Sequence, residues 1–314
     1  MHTAVAPAPP PAAARPDAPA RRTPWAWAGL LGGAGILAVL LWRLGTGPFL
    51  DGVRQLDGRA LAAALGLGLL TTVCCAWRWS LVAGGLGLRL PLPTALAACY
   101  RSVFLNATLP GGVLGDVDRA VHSGRAAGDV GRGIRSVVWD RTAGQVVQAV
   151  LAVLVLLALP SPVRSAMPAV SVAALGVALA VLVLSRPGVS GWVRAVQADL
   201  RAALLAPRTR VPIVLASAVA VSGHVATFLV AARVAGATAS VPRLVPLALL
   251  ALLAMAAPLN VAGFGPREGV AAWAFGAGGL TAAQGVATGV AYGVLVLVAS
   301  LPGAAVLLIG RPRD

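Results

Sequence analysis

NATLPGGVLGDVDR, residues 106–119, places a Pro-Gly-Gly break, two aspartates and an arginine in a chain that is 58% hydrophobic and 11% charged. A similar stretch, APLNVAGFGPREG, occupies residues 257–269. Apolar runs flank both, some of them about 20 residues long, the length a helix needs to cross the hydrocarbon of a bilayer. Mean hydropathy is +0.85. A β-barrel would instead show alternating segments of about ten residues. Backbone freed by Pro and Gly at membrane depth must be satisfied inside protein or in a wet cavity. The two stretches therefore predict an all-α, polytopic integral membrane protein with two re-entrant or broken helices.

Working outward, six spans are expected near 25–44, 60–83, 136–159, 167–185, 211–235 and 286–310, with broken apolar stretches at 91–115 and 242–284. Residues 1–24 are Pro/Ala-rich and aperiodic, which predicts a disordered cytoplasmic tail. The remainder, 25–314, reads as a single transmembrane domain. Arginine is concentrated at Arg15, Arg21 and Arg22, in the loop 111–135, in the linker 186–210, and at Arg311 and Arg313. Positive charge stays on the cytoplasmic side, so both termini are expected there and the 160–166 loop outside. Each half then reads as span, span, broken segment, span, in pseudo-repeats of about 25–159 and 167–310. An odd number of spans precedes the second half, so the repeat would be inverted, a transporter layout.

The formal net charge is +15, and all 25 basic residues are arginine. With so much Ala and Gly, the missing lysine reads as codon bias in a GC-rich, bacterial genome. It deflates the basic pI as a sign of nucleic-acid binding and excludes a lysine nucleophile or Schiff base. Cys74, Cys75 and Cys99 are too few for a disulfide framework, and His2, His122 and His224 show no zinc spacing. No metal or cofactor is expected. Walker, G-x-S-x-G and H-E-x-x-H motifs are all missing from the sequence, and with them ATP hydrolysis and familiar hydrolytic chemistry.

Three groups carry candidate chemistry. In the first, Pro110, Gly111, Gly112 and Gly115 form an elbow that opens a helix, whose N-terminus favours an anion. Arg119 supplies a guanidinium matched to phosphate, with Asp116 able to hold it and Asn106 just upstream. Read blandly, the same residues are a capped cytoplasmic loop. In the second, Pro258, Gly263 and Gly265 break the chain, Pro266 takes the first helical position, and Glu268, the single glutamate, follows Arg267 in the first turn. Glu268 could simply cap that helix and pair with Arg267, but intramembrane charge is costly and points to function. In the third, Arg141, Gln145 and Gln148 share one helical face beside Asp140, as a substrate contact or as a buried ion pair with interhelical hydrogen bonds. Asp116-x-Asp118 is a weak match to a metal-binding DxD. His224 is expected to hydrogen-bond between helices, and Gly285, Gly289 and Gly293 to form a close packing face.

At Asn106, Leu109-Pro110-Gly111-Gly112, Gly115-Asp116-x-x-Arg119, Asp140-Arg141, Pro258-x-x-x-x-Gly263-x-Gly265-x-Arg267-Glu268 and Leu301-Pro302-Gly303, the chain resembles the lysylphosphatidylglycerol synthase transmembrane-region family of flippase-like membrane domains. Leu114 stands where that pattern has glycine, and Asp118 where it is apolar. The resemblance covers nearly everything after residue 25. It implies movement of a lipid with an anionic or phosphate-bearing headgroup across the bacterial plasma membrane, without ATP. It also implies a substrate site of Asn106, Asp116, Arg119, Asp140, Arg141, Arg267 and Glu268. The sequence carries no soluble aminoacyl-transfer domain after its last span, so it is not expected to be a complete synthase or an enzyme. The alternative is a non-transporting subunit that presents a lipid to a separate glycosyl- or aminoacyltransferase.

Overall fold

The computed structural model describes residues 24–109, 112–166, 191–256 and 264–309. The expected span near 167–185, all of the expected tail except Pro24, and the elbow residues Pro110, Gly111, Pro258 and Gly263 lie outside them. The described residues form twelve α-helices and one 3-10 turn. In chain order the helices are α1 (Pro24–Leu44), α2 (Gly47–Arg54), α3 (Gly58–Gly85), α4 (Leu92–Thr108), α5 (Leu114–Ala126), α6 (Val130–Ala158), α7 (Gly191–Ala203), α8 (Arg210–Val234), α9 (Val241–Ala254), α10 (Pro266–Ala277), α11 (Ala282–Ser300) and α12 (Pro302–Ile309).

Four of these, α3, α6, α8 and α11, are long and apolar enough to cross a membrane. A fifth span exists if α1 and α2, bent by 99° at Gly45–Thr46, cross as one unit. The protein is a multi-pass membrane protein. The expected last span, 286–310, does not continue as one helix. It stops at Ser300, and Pro302 opens the separate α12, because proline has no N–H to give to the preceding turn.

Local chemistry sets the other boundaries. Asp57 caps α3 by accepting the Ala60 amide at 2.8 Å, and Asp129 caps α6 through the Arg132 amide at 2.8 Å. Thr281 and Gln284 form a reciprocal capping box on α11. Between α3 and α6 the apolar stretch breaks into the short helices α4 and α5, and Gly112 turns the chain at φ 60°. Between α8 and α11 it breaks into α9 and α10. Both regions thus read long, short, short, long.

Close packing relies on small residues. α3 lies against α8, where a methyl group on Gly223 would come within 2.5 Å of Thr71. α10 lies along the Gly285, Gly289 and Gly293 face of α11, and a methyl on Gly285 would sit 2.4 Å from the Ala271 carbonyl. The expected close packing face is therefore present. The largest apolar core joins Phe228 of α8, Leu244 and Leu247 of α9, Phe275 of α10 and Tyr292 of α11, all fully buried. A second core surrounds Trp79, whose indole donates to Ser136 at 3.1 Å and ties α3 to α6. These two cores flank the polar interior.

Candidate functional site

Charged groups inside such a bundle must be paired, because an uncompensated charge away from water is very costly. Asp140, on α6 and 1% exposed, is the hub. Arg78 of α3 donates through Nε to its Oδ1 at 2.7 Å, and Arg119 of α5 donates through Nη2 to its Oδ2 at 2.9 Å. Both guanidiniums are themselves buried. Arg78 also donates to Ser217 on α8 at 3.2 Å, and Arg119 stacks on Trp79 with its guanidinium carbon 4.7 Å from the ring centre. One carboxylate thereby fastens three helices.

Arg119 then reaches back one turn and donates through Nε to Asp116 at 3.0 Å. Asp116 also accepts from Ser102 and Asn106 of α4, each at 3.2 Å, and from Arg141 of α6. Asn106 in turn accepts the Gly115 amide at 2.8 Å, satisfying a free N–H in the first turn of α5. Burial by itself pushes the Asp116 carboxyl upward, but the guanidiniums of Arg141 and Arg119 outweigh it and hold the group below the usual carboxylate range. The result is an alternating ladder, Arg78–Asp140–Arg119–Asp116–Arg141. Its last member differs from the rest: the Arg141 side chain is 50% exposed and has one partner among the described residues.

The second motif is self-contained. Gly265 adopts φ 132°, a left-handed conformation open to glycine, and Pro266 begins α10. Glu268 accepts the Gly265 amide at 2.6 Å and the Arg267 guanidinium, its Nε at 2.8 Å. Arg267 lies between two rings, 5.4 Å from the centre of Phe264 and 5.0 Å from that of Tyr292. Tyr292 meets His224 Nδ1 at 3.0 Å, which makes His224 the interhelical hydrogen-bonder expected of it.

Both motifs open on one cavity of about 310 Å³ between α3, α4, α6, α8 and α11. Asn106, Asp116, Arg119, Asp140, Arg141 and Arg267 all line it, as do Gln145, Gln148 and Gly112. Glu268 does not; it stands fully buried behind Arg267. Asp118 is also elsewhere, paired with Arg101, so Asp116 and Asp118 do not act together. Gly115 packs against α4, where a methyl would come within 2.1 Å of the Ser102 carbonyl oxygen.

Arg78 is the residue that motif reading missed. Its signal was available: a lone arginine within the apolar run of α3, in CCAWRWS, is a costly intramembrane charge that needs a partner. No Pro/Gly break marks it.

The family-model comparison matches residues 26–303 to the lysylphosphatidylglycerol synthase TM region. The chain belongs to this family. The match takes in the spans, both broken segments and every residue on the cavity wall. Comparisons with curated proteins and with solved structures give no match. Membership gives the chain the membrane region of lysylphosphatidylglycerol synthase-like proteins, compatible with a role at membrane lipid.

Proposed function

We propose that the protein translocates an amphipathic lipid across the bacterial plasma membrane, passing its phosphate-bearing headgroup through the cavity while the acyl tails stay in the bilayer. One observation carries this reading: two chain breaks about 150 residues apart bring their charged residues to the same cavity, set between spanning helices. Four guanidiniums face it, those of Arg78, Arg119, Arg141 and Arg267, against the three carboxylates Asp116, Asp140 and Glu268, so one positive charge is in excess. That balance suits an anion. Arg141 is the guanidinium best placed to engage it, since it is half-exposed and gives up one contact on doing so. Arg78, Arg119 and Arg267 hold the cavity in shape. Family membership favours lipid over other anions.

In the proposed orientation both termini and the arginine-bearing 186–210 linker are cytoplasmic and the 160–166 loop faces outward, as the positive-inside bias requires. The two broken segments then enter from opposite sides as an inverted repeat. Purified protein in liposomes, assayed for loss of a fluorescent phospholipid from reach of an impermeant quencher, tests the function. Lipid movement without ATP or a partner supports translocation. Movement that appears only with an added transferase favours the presenting-subunit role.

A further inference from the structure

Hydrogen-bonding capacity on the cavity wall is almost entirely used internally. The hydroxyls turn back on carbonyls of their own helices, as Thr72 does to Gly68 at 2.7 Å and Thr227 to Gly223 at 2.9 Å. Ser102 and Asn106 are held on Asp116, and His224 on Tyr292. Gln145 and Gln148 are the exception. Both are half-buried, both line the cavity, and neither amide has a partner among the described residues. Both amides keep accessible surface on the wall, so their donors and acceptors are open to a ligand that enters the cavity.

Their position says what kind. They follow Arg141 on one face of α6 by four and seven residues, about 6 and about 10 Å along the helix axis. A phosphate at Arg141 would thus place its substituent beside two neutral amides, each able to donate and accept. Hydroxyl groups match that demand. An ammonium could use only the amide oxygens and would find no counter-charge, since each carboxylate here is occupied. Asp140 is shared by Arg78 and Arg119, Asp116 by Arg119 and Arg141, and Glu268 is held by Arg267 off the wall. The phosphate's own negative charge already balances the one positive charge in excess, so a cationic substituent would be left uncompensated.

We infer that the cavity takes a phosphate carrying an uncharged polyol, read by Gln145 and Gln148, and disfavours a phosphate whose substituent bears a free ammonium. This deepens the translocation reading and rests on it. It also separates this chain from the aminoacylated lipid in its family's name, whose lysyl group carries ammonium charge.

The test is binding to the full chain in uncharged detergent micelles, with short-chain lipids of equal tail length. Phosphatidylglycerol should bind about tenfold more tightly than phosphatidic acid, which lacks the polyol, and at least as far ahead of lysylphosphatidylglycerol. Replacing both amides, Gln145→Leu with Gln148→Leu, should bring phosphatidylglycerol down to the affinity of phosphatidic acid. Equal or tighter binding of lysylphosphatidylglycerol overturns the inference, and so does binding of none of the lipids. An unchanged lipid ranking in the double variant removes the glutamines from it. Glycerol phosphate without tails separates the sources: if it binds as well as the lipid, the polyol-phosphate chemistry stands and the lipid reading falls. The lipid ranking of the unsubstituted chain decides the matter even if the double variant does not fold.

Discussion

The two chain breaks look alike in sequence and are held by different physics. In the first, between α4 and α5, the charges that follow the glycines reach across α3, α4, α5 and α6, and the ladder ends in a half-exposed guanidinium. In the second, before α10, Arg267 and Glu268 pair with each other and Glu268 caps its own helix. The first ties helices together and leaves one cation half-exposed. The second stabilises a single half-helix and leaves none. A Pro/Gly break followed by opposite charges therefore marks a helix start in an apolar environment, and whether it becomes a binding group depends on what lies opposite.

The sharpest way to break this comparison is to remove the acid from each side. Asp140→Asn leaves buried Arg78 without an acid and takes from buried Arg119 one of its two, and should cost about 3–5 kcal/mol, seen as loss of the protein from membranes or a large drop in unfolding temperature in detergent. Glu268→Gln removes a single ion pair within one helix, and its amide oxygen can still accept the Gly265 N–H, so the loss should be clearly smaller. Equal losses would mean that the two breaks are held alike.

Next in size are the guanidiniums. Arg119→Lys should be poorly tolerated, because one ammonium cannot span Asp116 and Asp140 as the planar fork does. Arg267→Lys, with one acid to satisfy, should accumulate nearer to the normal level. Comparable membrane abundance of the two would show that bridging by Arg119 contributes little.

Glycine substitutions probe the packing behind each motif. Gly115→Ala would drive a methyl to 2.1 Å from the Ser102 carbonyl, a backbone atom that cannot step aside, and should cost about 1–3 kcal/mol. Gly293→Ala meets the end of Arg267 at 2.6 Å and the Phe264 ring at 2.9 Å, side chains that can shift, so it should cost less stability while narrowing the cavity. Thermal unfolding of the two variants in one detergent checks the order.

The smallest effect on stability belongs to Arg141→Gln. A half-exposed pair contributes at most about 1 kcal/mol, so the protein should reach the membrane at a normal level. Lipid movement should nevertheless fall sharply. Normal movement in this variant would remove Arg141 from the proposed headgroup site.

How much of this could be read from sequence varies along the chain. Hydropathy located α3, α6 and α8 closely, since each is a long apolar run bounded by caps or glycine. It joined α11 to α12, because a proline within an apolar run changes hydropathy little and the backbone a great deal. The start of α10 was legible from Gly265, Pro266 and Glu268, as the hydrogen bonds there lie within three residues. Pairing of Arg119 with Asp116 was legible for the same reason. Arg78 was not, since its acid lies 62 residues away on another helix.

By itself, then, the sequence determined the all-helical membrane class, the places where helices break and the local caps, because hydropathy, proline, glycine and neighbouring charge act over a turn or two of chain. Tertiary structure decided that Asp140 is shared by Arg78 and Arg119, that Glu268 is hidden behind Arg267, and that Gln145 and Gln148 stand on a cavity wall without partners among the described residues. Those outcomes depend on which helices stand side by side. In a medium that cannot solvate charge, that neighbourhood fixes which guanidiniums are buried in ion pairs and which one, Arg141, stays half-exposed.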